Sequence, residues 1–596
     1  MPSFSFTDAS GSAGPSPALT TTSMSSEVPP CPSSKADLEV ASTPASGFDY
    51  SRFSWRQPCP DAPGYFEREA FAAEMILDTW HRFAHGEQTL FLGVDLSLPS
   101  SPSHTLSAAE FIDAVRSAWS ALRFDVPTVA SHTSYTCDTV HPLVTYQSAA
   151  SASDVATWAK RTVRGRGDIR GLETVRTLDE LRYEVAKRTI PEITGDQTFI
   201  YVLDKPSSPS QGGKDRSAEY GLLLHTSHVP FDGAGTKILM TLLLRHLAAV
   251  LDGRCDPEAW RSLAWGEEGA NLLPSVPDSL GPTEEKSGPV YEETLKETMK
   301  DYAEWFPRMY GFKPRNIGPG PSNRIWRTFS KEKTSQLVRA SRAQGFTLNQ
   351  LAHAAVYVVC SNDNPIPIDS NGAFVNFGLR NSRSTLAPPY NTADGYPGFC
   401  LGISVVAVPC SVFVELSDEP LLFRVARRVK QGYVKMKELP SLTAVAGEQM
   451  EMVMRPAKEG QELPPPAMGP WFSGDGIGED YLQPVYRGAQ GAEVIRVEDF
   501  FTSLNKQDPG PFFRCFTWNG HLQLSVDYNE YAMPTPLMQS WLDEWVGHLE
   551  GILPADNSMP GECTMANETI LPTQNPNSLS IRSLTRKISS LFKRDS

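Results

Sequence analysis

The sequence predicts a layered mixed α/β (α+β) fold of two lobes. Three observations carry that expectation. In the first half, two strand-like apolar runs, FIYVL at 199–203 and YGLLL at 220–224, lead into a long apolar helical stretch over 236–251. The second half repeats the mixture, with a helix-like segment at 347–360 and strand-like runs at 373–377 and 402–408. Between the halves, GEEGANLLPSVPDSLGPTEEKSGP (266–289) is turn-rich and acidic with little periodicity, as expected of a connection.

Taken in order, residues 1–47 are rich in Ser, Pro, Thr and Ala, and are expected to be a disordered tail, because they bury too little apolar surface to offset their ordering entropy. The first lobe is expected over 48–265. Within it Ala108, Phe111, Ile112, Val115, Trp119 and Leu122 recur at helical spacing, and Ser107 with Glu110 supplies a capping box. The polar stretch SSPSQGGKD reads as a surface loop between the two strands, and Gly253 marks the end of the apolar helix. The second lobe, 290–554, opens with a charged helix near 292–305. It includes a Pro/Gly-rich stretch at about 455–490 that reads as an insertion or long loop. Strands at 512–517 and 521–528 precede a closing helix near 537–553, and residues 555–596 read as a flexible basic tail.

Composition narrows the function. The chain has 596 residues, 40% hydrophobic and 21% charged, which suits a folded globular protein. Its 54 basic and 69 acidic residues give a net charge of −15, so nucleic acid is not an expected partner. The nine cysteines form no CxxC pair or metal-like cluster, which suits a reducing compartment and predicts no metal. The N-terminus lacks the basic and apolar regions of a secretory signal. Runs such as LAHAAVYVVC (351–360) are too short to span a bilayer, so a cytoplasmic protein without a transmembrane segment is expected.

One motif carries chemistry. His228, Asp232 and Gly233 spell HxxxDG directly after the strand YGLLLHTS. With eleven histidines, chance supplies about 0.04 such matches at average composition. A strand-end histidine before a tight turn and a helix is held by rigid elements and stays reachable. Its ordinary pKa of about 6.5 suits a general base for an alcohol or amine. Asp232 is expected to clamp the turn or cap the following helix, and Gly233 and Gly235 to permit unusual backbone angles and close packing. Taken alone, the motif reads first as an ordinary strand-end histidine followed by an Asp-Gly turn.

The order of landmarks extends the motif. HxxxDG is followed by GFTLNQLAHAA (345–355), VNFGLRNSR (375–383) and LQLSVDYNEYAMPTPLMQSWLDEW (522–545). In this the chain resembles the HxxxD acyltransferases, the superfamily of chloramphenicol acetyltransferase, plant BAHD acyltransferases and peptide-synthetase condensation domains. Together with ALRFDVPTVAS (121–131), it looks most like fungal O-acetyltransferases of the trichothecene 15-O-acetyltransferase type. The BAHD signature DFGWG is absent, with only VEDFF (497–501) in a comparable region. The doubled histidine of condensation domains is missing as well.

The resemblance implies two chloramphenicol-acetyltransferase-like lobes with a tunnel at their junction and His228 at its midpoint. It implies His228 as general base with no covalent intermediate, and acetyl-CoA or another acyl-CoA as co-substrate with no permanently bound cofactor. The acceptor would be a small hydroxylated metabolite, terpenoid by branch. The sequence leaves the oligomeric state open, with a monomer expected. Asp232 would point away from the tunnel and pair with Arg380, or failing that Arg383. Thr502 and Ser503 are candidates for the oxyanion donor, while the coenzyme-binding residues stay unassigned. Two other readings remain: a freestanding condensation-type enzyme using carrier-bound acyl donors, and a non-catalytic metabolite-binding relative. Against a carrier site within this chain, the one DSL (278–280) lacks a preceding glycine.

The remaining candidates read as structural. Strand alternation puts His225 on the face opposite the base. Cys360 and Cys400 sit in apolar runs expected to bury inert thiols. The C-terminal stripe Ile581, Leu584, Ile588 and Leu591, with nearby basic residues, reads as a solvated tail, and the Asn567 sequon as incidental.

Overall fold

Among the described residues four sheets of unequal size divide the strands, and the largest draws on both halves of the chain. The computed structural model describes residues 47–58, 61–99, 106–134, 141–205, 218–458 and 469–554. The two tails up to 46 and from 555, most of the loop expected after the first strand of the pair, and part of the 455–490 stretch lie outside these residues.

In chain order the first elements are β1 (Tyr65–Glu69), α1 (Ala73–Phe83), β2 (Leu90–Leu98), α2 (Ala108–Asp125), β3 (His132–Ser134) and β4 (Leu143–Gln147). They continue through α3 (Ala152–Thr162), β5 (Val163–Gly165), α4 (Leu178–Val185), β6 (Thr198–Asp204), β7 (Ala218–Thr226) and α5 (Gly233–Leu251). A short α6 (Val276–Ser279) precedes α7 (Pro289–Trp305), β8 (Ser322–Thr328), α8 (Lys331–Ala343), α9 (Leu348–Asp363), β9 (Ala373–Asn381) and β10 (Leu401–Pro409). The rest comprises α10 (Ser411–Val414), α11 (Leu421–Glu438), α12 (Leu442–Lys458), β11 (Trp471–Ile477), β12 (Val485–Arg487), β13 (Glu493–Leu504), β14 (Phe512–Trp518), β15 (His521–Asn529) and α13 (Thr535–Glu550).

The six-stranded sheet runs β12-β13-β2-β7-β6-β5, and the four-stranded sheet β11-β14-β15-β8. A three-stranded sheet, β1-β4-β3, and the β9–β10 hairpin complete the set. Residues 290–554 are therefore not confined to one lobe. β12 and β13 come from the second half but pair onto β2 of the first, in the register Phe501 to Gly93 and Thr502 to Leu92. Phe500, Val497, Ile495 and Tyr486 bury their side chains in the first-half core with Trp119, Leu222 and Leu243. Leaving β2 as an open edge would expose both its backbone donors and that apolar face.

Local signals work where the interactions are local. Helix α2 starts at Ser107 through the expected capping box, in which Ser107 accepts from the Glu110 backbone and Glu110 reaches back. The stretch read as a long loop is otherwise: β11 and β12 both lie within it. Helix α5 is long and apolar enough to cross a membrane, alone among the described helices, yet 61% of its apolar window is buried against protein. Its two flanks explain this, since it packs on α2 and on β13.

Candidate active site

The HxxxDG segment forms a strand, a turn and a helix start. β7 ends at Thr226, and the Val229 amide donates to Ser227 Oγ at 3.3 Å. The Phe399 amide donates to the Pro230 carbonyl at 3.0 Å, tying the turn to the second half of the chain. His228 keeps partial solvent exposure, and its ring centroid stands 5.9 Å from that of Phe399. Its Nδ1 is buried without a hydrogen-bond partner. Burial is the main cause that pulls its pKa down to about 4. The nearby carbonyls of His228 and Phe231 and the Asp232 carboxylate oppose that pull, and Arg514 reinforces it. Such a ring is unprotonated throughout the neutral range.

Asp232 caps α5, accepting from the Gly235 amide at 2.7 Å. Its carboxylate is 1% exposed and receives three more hydrogen bonds, two from Arg383 at 2.9 and 3.1 Å and one from the Cys400 amide at 2.8 Å. Burial alone would raise this carboxyl, yet Arg383 and the amide donors hold it below the usual carboxylate range. The guanidinium of Arg383 also donates to the carbonyls of Tyr396 and Gly398, so both charges are well satisfied.

The expected partner Arg380 is elsewhere. It donates to Glu284 at 2.9 Å and to the Leu439 carbonyl at 3.2 Å. Arg380 is still inside β9, on the face toward the start of α12, where Glu284 receives the Thr443 and Ala444 amides. Arg383 lies past the strand end, in a single helical turn over Arg383–Thr385 that swings back to Asp232. Gly233 also departs from expectation. Its φ is not positive, and a β-carbon there would meet nothing within 4 Å. The close approach belongs to Gly235, where a β-carbon would stand 2.1 Å from the Pro397 carbonyl oxygen.

Both proposed oxyanion donors are committed. Thr502 Oγ1 donates to Asp475 at 2.9 Å. Ser503 Oγ donates to Asp527 at 2.5 Å and accepts from Arg182 at 2.9 Å, in the interior on the opposite face of β13. His225 stacks on Phe91 with centroids 4.6 Å apart and ring planes within 4°. Cys360 and Cys400 are fully buried, and burial pushes both thiols up, Cys400 to about 12. Among the described residues no group of His, Cys, Asp and Glu could hold a metal ion.

Sequence reasoning passed over Lys237, Asp475 and Arg514, which meet in the interior at the start of α5. The available signal was charge inside apolar segments, TKILM for Lys237 and FFRCF for Arg514.

A family model described as 15-O-acetyltransferase Tri3 matches residues 49–408. The trichothecene 15-O-acetyltransferase TRI3 of Fusarium sporotrichioides is 23% identical over 498 residues, covering 80% of this chain and 93% of that protein. The solved structure of TRI3 from that organism superposes with a TM-score of 0.71 at 19% identity, covering 85% of this chain and all of that one. The first condensation domain of the calcium-dependent antibiotic synthetase superposes at 0.54 with 13% identity, covering 82% of this chain and 96% of that one. The two structural likenesses bear on the fold, which is the two-lobed α/β arrangement.

Proposed function

The chain belongs to the 15-O-acetyltransferase Tri3 family and is an O-acetyltransferase, and from that premise we propose its donor, acceptor and base. The donor is acetyl-CoA, which the family implies as co-substrate. The acceptor is a hydroxyl of a trichothecene-like sesquiterpenoid. His228 is the general base, and no covalent enzyme intermediate forms.

In this reading Nε2 of His228, the ring nitrogen other than the enclosed Nδ1, takes the acceptor's hydroxyl proton as its oxygen attacks the thioester carbonyl carbon. The tetrahedral adduct collapses with cleavage of the C–S bond, and the imidazolium returns its proton to the departing thiolate. An acetyl ester and free coenzyme A result, and the base ends neutral as it began. A positioned base contributes about 10² to 10⁴ in rate, with orientation of the two substrates adding to it.

The observation that supports this reading most is how His228 is held. A strand end fixes one side of it, and an Asp232 clamp, turned away toward Arg383, fixes the other. Asp232 is fully engaged there, so it is not a second proton carrier.

The test incubates the protein with acetyl-CoA and a trichothecene bearing a free 15-hydroxyl, and follows thiol release and ester mass. Turnover that falls at least about 100-fold in His228→Ala supports the reading. Undiminished turnover in that variant, or transfer only from an acylated carrier protein, overturns it.

A further inference from the structure

The β9–β10 hairpin packs one face on α11 and α12 and leaves the other only partly covered. On the packed face, a β-carbon at Gly378 would stand 3.1 Å from Met436 of α11, and one at Gly402 3.2 Å from Leu442 of α12. Phe377, Leu379 and Asn381 alternate onto the other face, in register with Val405, Ile403 and Leu401 of β10. β11 and the helical turn after it, Gly478–Asp480, meet this face at two points. Trp471 stacks on Phe377 with ring centroids 5.8 Å apart and planes within 7°, and Tyr481 accepts a hydrogen bond from Asn381 at 2.6 Å. Between these ties Leu379 remains 44% exposed, and a β-carbon on Gly476 of β11 would meet nothing within 4 Å. A cleft thus separates the hairpin from β11, and the strand rise from 377 to 381 sets its length at about 13 Å.

Two routes of contact join this cleft to the base. Leu401 and Ile403 share one apolar group with Val229 and Phe399, and the Phe399 ring stands against His228. Asn381 Oδ1 accepts at 3.1 Å from the Arg383 guanidinium, which holds Asp232. The lining suits one substrate over the other. Phe377, Leu379, Leu401 and Ile403 carry no polar group, so they offer nothing to the coenzyme's phosphates and a wall to an apolar ring system. The polar end is equally selective. Asn381 Oδ1 also accepts from the Arg383 amide at 3.2 Å, which fixes the orientation of its side-chain amide, so the NH2 group donates to Tyr481. The Tyr481 O–H proton is then left to donate, and among the described residues no acceptor takes it.

We propose that this cleft seats the acceptor, a rigid apolar polycycle bearing, besides its reacting hydroxyl, an oxygen that accepts a hydrogen bond from Tyr481. Leu379 and Tyr481 determine specificity, the first by apolar contact and the second by that hydrogen bond. The proposal rests on the acetyl-transfer reading above, and adds where the acceptor lies and what selects it.

Calorimetric binding of a trichothecene with a free 15-hydroxyl, measured without acetyl-CoA, reads the cleft independently of the base. Leu379→Ser should weaken that binding about 5- to 10-fold, and Tyr481→Phe about 3- to 10-fold. In both, the KM for acetyl-CoA should stay at the parent value. Leu379 is exposed enough for its substitution to spare the fold. Leu416→Ser, at a position 99% exposed just before α11, should bind the trichothecene as the parent does. Parent-like binding in either Leu379→Ser or Tyr481→Phe, or a raised KM for acetyl-CoA in place of weaker trichothecene binding, overturns the proposal and leaves the acetyl-transfer reading standing. A parent protein that binds no trichothecene overturns the acceptor proposed above together with its seat.

Discussion

The carbonyl oxygen of Pro397 occupies the place where a β-carbon on Gly235 would have to stand, 2.1 Å from it. Behind it, Arg383 lies 3.0 Å from the same position. The first turn of α5 is thus pressed directly on the segment that completes the Asp232 clamp, and only a residue without a side chain lets them meet. Gly235→Ala should lower stability by about 1 to 3 kcal/mol through overpacking against backbone, and reduce acetyl transfer with it. Gly233→Ala is the control. In open space at the first position of α5 it should be neutral or raise stability by about 0.5 to 1 kcal/mol. Urea denaturation of the two variants checks both, and equal losses would contradict the assignment of the close approach to Gly235.

Arg383 and Arg380, three residues apart, should respond differently to the same substitution. Arg383→Met leaves the 1%-exposed Asp232 carboxylate without its counter-charge, and breaking such a pair costs about 3 to 5 kcal/mol. Arg380 is less enclosed, 19% exposed by its side chain, and its partner Glu284 keeps the Thr443 and Ala444 amides. Arg380→Met should therefore destabilise less than Arg383→Met. The ranking from thermal melts is the measurement, and the reverse order would restore the pairing read from the sequence.

That reversal shows where sequence stops informing. Ser107 with Glu110 is visible as a helix start, because every bond involved spans three residues. Asp232 is visible as a cap for the same reason. Choosing between Arg380 and Arg383 requires knowing where β9 ends and which way the chain then turns, and that is set by Tyr396, Gly398 and Asn381 receiving the guanidinium. The glycines of WFSGDGI read as loop, yet Gly474 lies in β11 with the Asn349 side chain in the space a β-carbon would take. Likewise nothing local to β13 announces that it pairs with β2, some four hundred residues earlier. That pairing follows from an exposed edge and an apolar face elsewhere in the chain.

The pH dependence of acetyl transfer should carry the signature of an enclosed base. With the His228 pKa drawn down to about 4, mainly by burial, kcat/KM should stay level from neutrality to about pH 5 and fall below that. Its acidic limb then lies well under the ordinary imidazole value of about 6.5. A limb centred at about 6.5 would mean that the working base is solvated, or is a different group.

His225 offers a cleaner pH test, because it acts on stability and lies outside the chemistry. Burial between Phe91 and Tyr201 depresses its pKa from 6.5 to about 3. A depressed histidine is neutral in the fold while the unfolded chain takes up a proton. Its contribution is thus whole above about pH 6.5 and is lost as pH falls from there toward 3. The slope is one proton, about 1.4 kcal/mol per pH unit. His225→Phe keeps a flat ring against Phe91 and removes a buried Nδ1 that has no hydrogen-bond partner, so at pH 7.5 the variant should match or exceed the parent in stability. Between pH 6 and 5 it should gain on the parent by about 1 kcal/mol. Because other titrating groups are common to both proteins, the difference between their urea midpoints isolates this one ring. Parallel pH curves would show that His225 is hydrated in the folded chain and that the strand face it occupies is not closed.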